Sequence, residues 1–256
     1  MKNSVAIVTG ASQGIGRSTA SRLARDFSAV VLVARNGDAL KEVAGTVEAA
    51  GARAVSIALD LCQLEAPETV VRTTMERCGR IDALLNIAGA VPQMDLFEMT
   101  DEQWYAGMEL KLHGARRLTI GAWDALKASK GSVVFMSGSA ALDPKPAFAA
   151  VAATNAAILA MAKAFAEQGI KDGIQVNSII PGAVMTGRRR SFLEKWAPAH
   201  NMTVAEATEK FPEEAGISRY GHPEEIAELL GFMVSPAAKW MTGTAVRMDG
   251  GETKGI

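Results

Sequence analysis

The chain has 256 residues, with 27 Lys and Arg against 28 Asp and Glu and a formal net charge of −1. Its 48% hydrophobic and 21% charged content excludes a disordered chain, and the balance leaves no basic excess for nucleic acid. Two cysteines, Cys62 and Cys78, are too few for a disulfide framework and point to a reducing compartment.

In chain order, short β-branched runs are separated by longer helical patterns. A strand is expected over residues 4–9, then a glycine-rich turn and a helix over 15–25. Strand 29–34 precedes helix 38–50, strand 53–59 precedes helix 67–79, and strand 81–86 precedes a long helix over 101–128. Thr100-Asp101-Glu102-Gln103 forms a capping box that starts this long helix. Strand 132–137 leads to an alanine-rich helix over 147–169, then strand 174–180, helix 223–234 and a last strand over 245–248. His222-Pro223-Glu224-Glu225 puts a proline and two acids in a first helical turn, where the missing N–H and the helix dipole suit them. Most of the strands are near-continuous apolar runs, as parallel strands covered on both faces require. The pattern predicts an α/β fold: a doubly wound, Rossmann-type parallel sheet of seven strands with helices on both faces, in one domain over residues 1–256. Residues 187–220 break the alternation with a polar, helical insertion, placed where such sheets cover their ligand.

The opening apolar run is too short for a signal-peptide core and leads into glycines. The longest uncharged stretch, 147–162, is interrupted by Thr154 and Asn155. It falls short of a membrane span and reads as a helix buried on several sides. A cytoplasmic protein with no membrane partner is expected.

The first strand runs into Thr9-Gly10-Ala11-Ser12-Gln13-Gly14-Ile15-Gly16. Glycine is needed where the chain turns sharply and where backbone must approach a pyrophosphate. The following helix N-terminus offers free N–H groups to the anion. A glycine triplet alone is also an ordinary tight turn; the strand–turn–helix context points to dinucleotide binding by Gly10, Ser12, Gln13, Gly14, Ile15 and Gly16.

This spacing resembles that of the short-chain dehydrogenase/reductase family. The resemblance extends to Asp60-Leu61, to Asn86-Ile87-Ala88-Gly89, to Val176 through Pro181-Gly182 and to Asp249-Gly250-Gly251, nearly the whole chain. It implies that Asp60 caps the adenine amine, that Leu61 supplies backbone, and that Asn86, Ala88 and Gly89 line the adenosine side. Pro181 and Gly182 lead to Val184 and Thr186, which it assigns to the nicotinamide carboxamide. Position 34 is Ala, which cannot bond the ribose hydroxyls as an acid would. Arg35 can pair with a 2′-phosphate, favouring NADP, with NAD as the alternative if Arg35 is only a solvated surface cation.

Common members of that family carry Tyr-x-x-x-Lys on the helix after the fifth strand, one turn apart on one face. Their Lys lowers the Tyr pKa and the phenol protonates the substrate oxygen. Here the register places Val151 on the Tyr and Asn155 on the Lys. Neither Tyr105 nor Tyr220, the only tyrosines, has a Lys four residues on. The family's Ser falls on Gly138, with Ser139 adjacent, and its helix Asn falls on Lys111. Asn at 155 and Lys at 111 look like a reciprocal exchange: the Lys111 ammonium fills the missing cation's place and Asn155 bonds the ribose. The alternative is that Lys111 points to solvent or pairs with an acid such as Glu109. Ser139 and Lys111 are the candidate catalytic residues. His113, His200 and His222 have no metal-ligand spacing, and no metal is expected.

Arg188-Arg189-Arg190 in the insertion reads either as anion capture or as a solvated helix face. Phe192, Trp196 and Phe211 either line a pocket or pack the lid. Three functions follow: an NADP-dependent carbonyl/alcohol oxidoreductase with a non-standard proton donor acting on a small molecule; a cofactor-binding protein without catalysis; or non-redox chemistry around a structural cofactor. The resemblance also implies a homotetramer, or a dimer, built on helices 101–128 and 147–169.

Overall fold

The computed structural model describes residues 3–255. Seven strands form one parallel sheet: β1 (Val5–Thr9), β2 (Ala29–Ala34), β3 (Arg53–Ala58), β4 (Ala83–Asn86), β5 (Ser132–Met136), β6 (Gln175–Pro181) and β7 (Ala245–Met248), in the order β3-β2-β1-β4-β5-β6-β7. The central strands are buried end to end, which is why they read as unbroken apolar runs. All seven expected strands are present, with ends within one or two residues.

Nine α-helices cover the sheet among the described residues: α1 (Gly14–Leu23), α2 (Gly37–Ala49), α3 (Ala66–Cys78), α4 (Asp101–Met108), α5 (Ala115–Ser129), α6 (Ala149–Asp172), α7 (Gly187–Ala199), α8 (Val204–Glu214) and α9 (Pro223–Met233). One face carries α1, α2 and α9 over Val8, Val30 and Leu32. The other carries α3, α5 and α6 over Ile7, Val31 and Phe135. A third, smaller core of Leu193, Ala197, Ala207, Ile217 and Tyr220 holds α7 and α8 together. The 187–220 insertion is therefore a pair of helices with its own apolar centre, less polar in its packing than its sequence suggests.

Two expectations are corrected. The long helix over 101–128 is interrupted by a π-helical turn at Glu109–Gly114. Gly114 lies against the Leu61 carbonyl, where an added Cβ would come within 3.1 Å. A π turn inside an α-helix re-aims side chains and is frequent at functional sites; here it carries Lys111. Its start is as expected, with Gln103 N–H donating to Thr100 Oγ1 at 3.3 Å and Thr100 N–H to Gln103 Oε1 at 3.0 Å. The second correction concerns α6. It is not buried on several sides: Ile158, Ala162 and Ala166 pack on the sheet, whereas Ala153, Ala156, Ala160 and Ala164 are exposed. The helix it belongs to is long and apolar enough to cross a membrane by length and composition. One face packs on β5 and β6, so α6 is a core helix whose outer stripe is also apolar because alanine fills both sides.

Candidate active site

β1 pairs with β2 on one side and β4 on the other, so the chain's direction of travel across the sheet reverses there. Beyond the carboxyl ends of these strands lies a cleft of about 630 Å³, the position at which such sheets bind ligands. Thr9 fixes its floor. Its hydroxyl donates to Leu85 O at 3.3 Å and accepts from Ile87 N–H at 2.9 Å and Ala88 N–H at 3.0 Å, clipping β1 to the loop after β4. Gly10 has φ +67°, and an added Cβ would sit 3.0 Å from Ala88 Cα. At Gly16 the same atom would lie 2.1 Å from the Gly10 carbonyl oxygen. Only glycine allows this turn to close so tightly onto the start of α1. The cradle, with free backbone N–H groups at a helix N-terminus, fits a dinucleotide pyrophosphate.

Ser12, Gln13, Gly14 and Ile15 line the same end of the cleft with Arg35, Asp60, Leu61, Ala88 and Gly89. Arg35 is largely exposed and only loosely paired with Asp60, at 3.9 Å, so its guanidinium is available to an anion beside β2. Asp60 also accepts the Cys62 N–H at 3.0 Å. Pro181, Gly182, Val184 and Thr186 form the wall after β6. Asn86 is the correction. It is buried, and its amide donates to Thr119 Oγ1 at 3.0 Å, behind the cleft wall. Strand alternation turns its side chain toward α5, so it supports the wall without lining it.

At the other end, Lys111, Ser139, Val151 and Asn155 share the cleft. Lys111 runs over Gly89, where an added Cβ would come within 2.9 Å of its Cδ. Its Nζ donates to Asn155 Oδ1 at 2.5 Å and to Ser137 O at 3.2 Å. Glu109, the alternative partner for Lys111, is instead paired with Arg117. Burial, with the Arg188 cation adding to it, pushes the Lys111 ammonium down to about 7. The Asn155 amide nitrogen lies over Gly138, where a Cβ would be 2.9 Å away. Gly138, Asn155 and Lys111 thus form one interlocked set, and the Ser137 hydroxyl secures it by donating to Asn155 O at 3.0 Å. Ser139 sits on a short 3₁₀ turn, Ser139–Ala141, on the cleft wall.

The arginine run divides. Arg188 reaches across the cleft mouth to Val91 O at 2.6 Å and Gly89 O at 3.3 Å. Arg189 is half-buried over the rings of Phe192 and Phe211, its central carbon 5.2 and 4.8 Å from their centroids. Arg190 is exposed and faces a separate recess beside α1 and α9. Phe192 and Phe211 line the cleft; Trp196 packs the lid, edge-on to Phe211 and stacked on His200. Sequence reasoning missed Lys145, Phe148, Glu252 and Thr253, which also line the cleft. No local motif marks them, because the chain brings them there from two separate segments, the turn before α6 and the stretch after β7. Among the described residues no cluster of His, Cys, Asp or Glu is arranged to hold a metal ion, and both cysteines are free thiols.

Residues 10–253 match the family described as enoyl-(acyl carrier protein) reductase. The chain is 30% identical to the short-chain reductase protein NovJ of Streptomyces niveus, over 98% of this chain and 94% of that protein. It is 30% identical to the 3-oxoacyl-acyl-carrier-protein reductase of a Synechocystis strain, over 96% of each. The fold superposes on L-sorbose reductase of Gluconobacter frateurii, solved with NADPH and L-sorbose, with a TM-score of 0.93, 31% identity and coverage of 99% of this chain and 97% of the other.

Proposed function

This chain belongs to the short-chain dehydrogenase/reductase family, and we propose that it is an NADP-dependent oxidoreductase that interconverts a carbonyl and an alcohol using Lys111 where relatives use a tyrosine. The observation that carries this reading is the Lys111 ammonium itself, fixed in the cleft by Asn155 Oδ1 and Ser137 O. An ammonium has three N–H donors, so one remains for a ligand. At about 7, its acidity matches a working proton donor at neutral pH far better than an ordinary lysine would. The Ser139 hydroxyl, with no hydrogen bond among the described residues, orients the substrate oxygen. Asn155 keeps the ammonium aimed and offers its free amide N–H to the ribose. NADPH-bound relatives, together with Ala34 and the exposed Arg35, support NADP over NAD. When bound, that cofactor supplies the hydride; the chain's residues hold it, exclude water and deliver the proton.

The pH profile of NADPH oxidation over a panel of carbonyl compounds tests this. The ammonium is the donor, so kcat for reduction should be level below pH 7 and fall about tenfold per pH unit above it. In the oxidative direction neutral Lys111 accepts the proton, and the limb reverses. Val151, which has no proton to give on the wall where relatives place the phenol, favours a second reading: a cofactor-binding protein without turnover. Tight NADPH binding with no oxidation over the whole panel would decide for it. The exposed alanine stripe of α6 further supports self-association as a homotetramer or a dimer; sedimentation of the purified protein tests that.

A further inference from the structure

The substrate end of the cleft carries more cations than acids: Lys111, Lys145, Arg188 and Arg189 stand with Asp143 and Glu252. Among the described residues Lys111 is bound only to a carbonyl and an amide oxygen, and Arg188 only to carbonyls. Arg189 uses its backbone N–H on Thr186 Oγ1 at 3.3 Å, but among the described residues its guanidinium makes no hydrogen bond or ion pair. It is instead held flat by two aromatic rings. The other charges of the cleft are satisfied elsewhere. Asp60 faces Arg35, and Lys145 pairs with Asp143 at 3.0 Å. Glu252, the acid that acts on Arg189, accepts the Ala183 N–H at 2.9 Å. Beside the Arg189 site, the hydroxyl of Tyr220, stacked on Phe211, is buried without a hydrogen-bond partner among the described residues. A half-buried guanidinium without an acceptor is costly, and a buried hydroxyl without a partner calls for an explanation. A planar fork supported on aromatic faces is suited to two-point recognition of an oxyanion.

We infer that the compound turned over carries an oxyanion group, a carboxylate or a phosphate, bound by Arg189 with Arg188 and Lys111 reinforcing the field, and that this charge selects the substrate. The inference rests on the oxidoreductase reading for turnover, though not for binding. Pairing the anion would also offset the mutual repulsion of the three cations.

The test uses the full-length protein and matched probes: 2-, 3-, 4- and 5-oxo acids against their methyl esters, and dihydroxyacetone phosphate against dihydroxyacetone. Binding is measured by calorimetry on protein saturated with NADP⁺, and turnover by NADPH oxidation. At least one anionic probe should be favoured over its neutral partner by tenfold or more in Kd and, where turned over, in kcat/KM. Whether an oxo acid or the phosphate shows the preference identifies the group. Arg189→Gln should abolish the preference and Arg189→Lys should keep part of it, with the Kd for NADPH unchanged. Equal binding of charged and neutral partners throughout would overturn the inference. So would an Arg189→Gln variant that weakens NADPH and leaves the preference intact, because the cofactor's own phosphates would then be the anion. Preferential anion binding with no turnover of any probe would sink the redox reading and leave the oxyanion site standing.

Discussion

The two ends of the cleft are built on different principles. The end under β1, β2 and β4 is made of backbone: Gly10 and Gly16 pack against carbonyls and the Ala88 main chain, and a single hydroxyl, Thr9, locks the loops. The end under β5, α6 and the lid is made of side chains that fit one another: Lys111 over Gly89, Asn155 over Gly138, and Arg189 between two phenylalanines. A backbone cradle tolerates almost no substitution, so it keeps its motif. A side-chain site can change its residues if it changes them together. The contrast teaches that Lys111 and Asn155, on the positions the family resemblance gives to an Asn and a Lys, belong to one arrangement, because they touch.

The largest effect that separates the two ends is expected at Lys111. Lys111→Met keeps the stem over Gly89 and removes the donor. It should lower kcat for reduction by about 10²–10⁴ while changing the Kd for NADPH far less. Wild-type turnover in this variant would mean the proton comes from elsewhere. Gly16→Ala is the converse. Its methyl would lie 2.1 Å from the Gly10 oxygen, so backbone must shift, at a cost of about 1–3 kcal/mol in urea unfolding. The NADPH-induced stabilisation, about 2.7 kcal/mol at 100 times Kd, should vanish with it. Gly45→Ala, in α2 with no atom within 4 Å of the new methyl, is the control and should be neutral or stabilising. Next is Arg35→Ala. The side chain is 71% exposed, so the lost charge-assisted contact should be at the low end of its range, about 1.5 kcal/mol. That is roughly a tenfold loss of preference for NADPH over NADH, read from the two dissociation constants.

The sheet and most helices were legible because burial on both faces leaves apolar runs and caps leave short local signatures, as at Thr100-Gln103. The cradle was legible for the same reason: Gly10, Gly14 and Gly16 answer to local geometry. Asn86 was misplaced because the motif gives its position along the strand but not which way its side chain turns. The π turn at Glu109–Gly114 was invisible because the apolar periodicity runs through it with only a local slip. The division of labour within Arg188-Arg189-Arg190 was also out of reach. Three like residues in a row differ only in where a lid of separate helices places them, and that depends on contacts with Val91, Phe192 and Phe211.

The smallest expected effect bears most directly on whether the catalytic end changed as a unit. If positions 111 and 155 exchanged together, each single reversal should do more harm than the pair. Lys111→Asn leaves Asn155 Oδ1 without its 2.5 Å donor. Asn155→Lys brings a second cation up to Lys111 and forces a long side chain beside Gly138, where the Asn155 amide already lies 2.9 Å from the position of a Cβ. In the double variant a cation again faces an amide, with the roles restored to those the family resemblance implies. The coupling in a double-mutant cycle of unfolding free energies should therefore be favourable by about 1 kcal/mol, roughly fivefold in the folding equilibrium. Additive losses would mean that the two residues meet without depending on each other, and the exchange would reduce to two independent substitutions. Favourable coupling would also predict that Val151→Tyr regains activity only in the background of the double reversal, because a phenol needs a cation one turn along α6 to lower its pKa. In the wild-type background the same tyrosine would face Asn155 at that position and remain a weak donor.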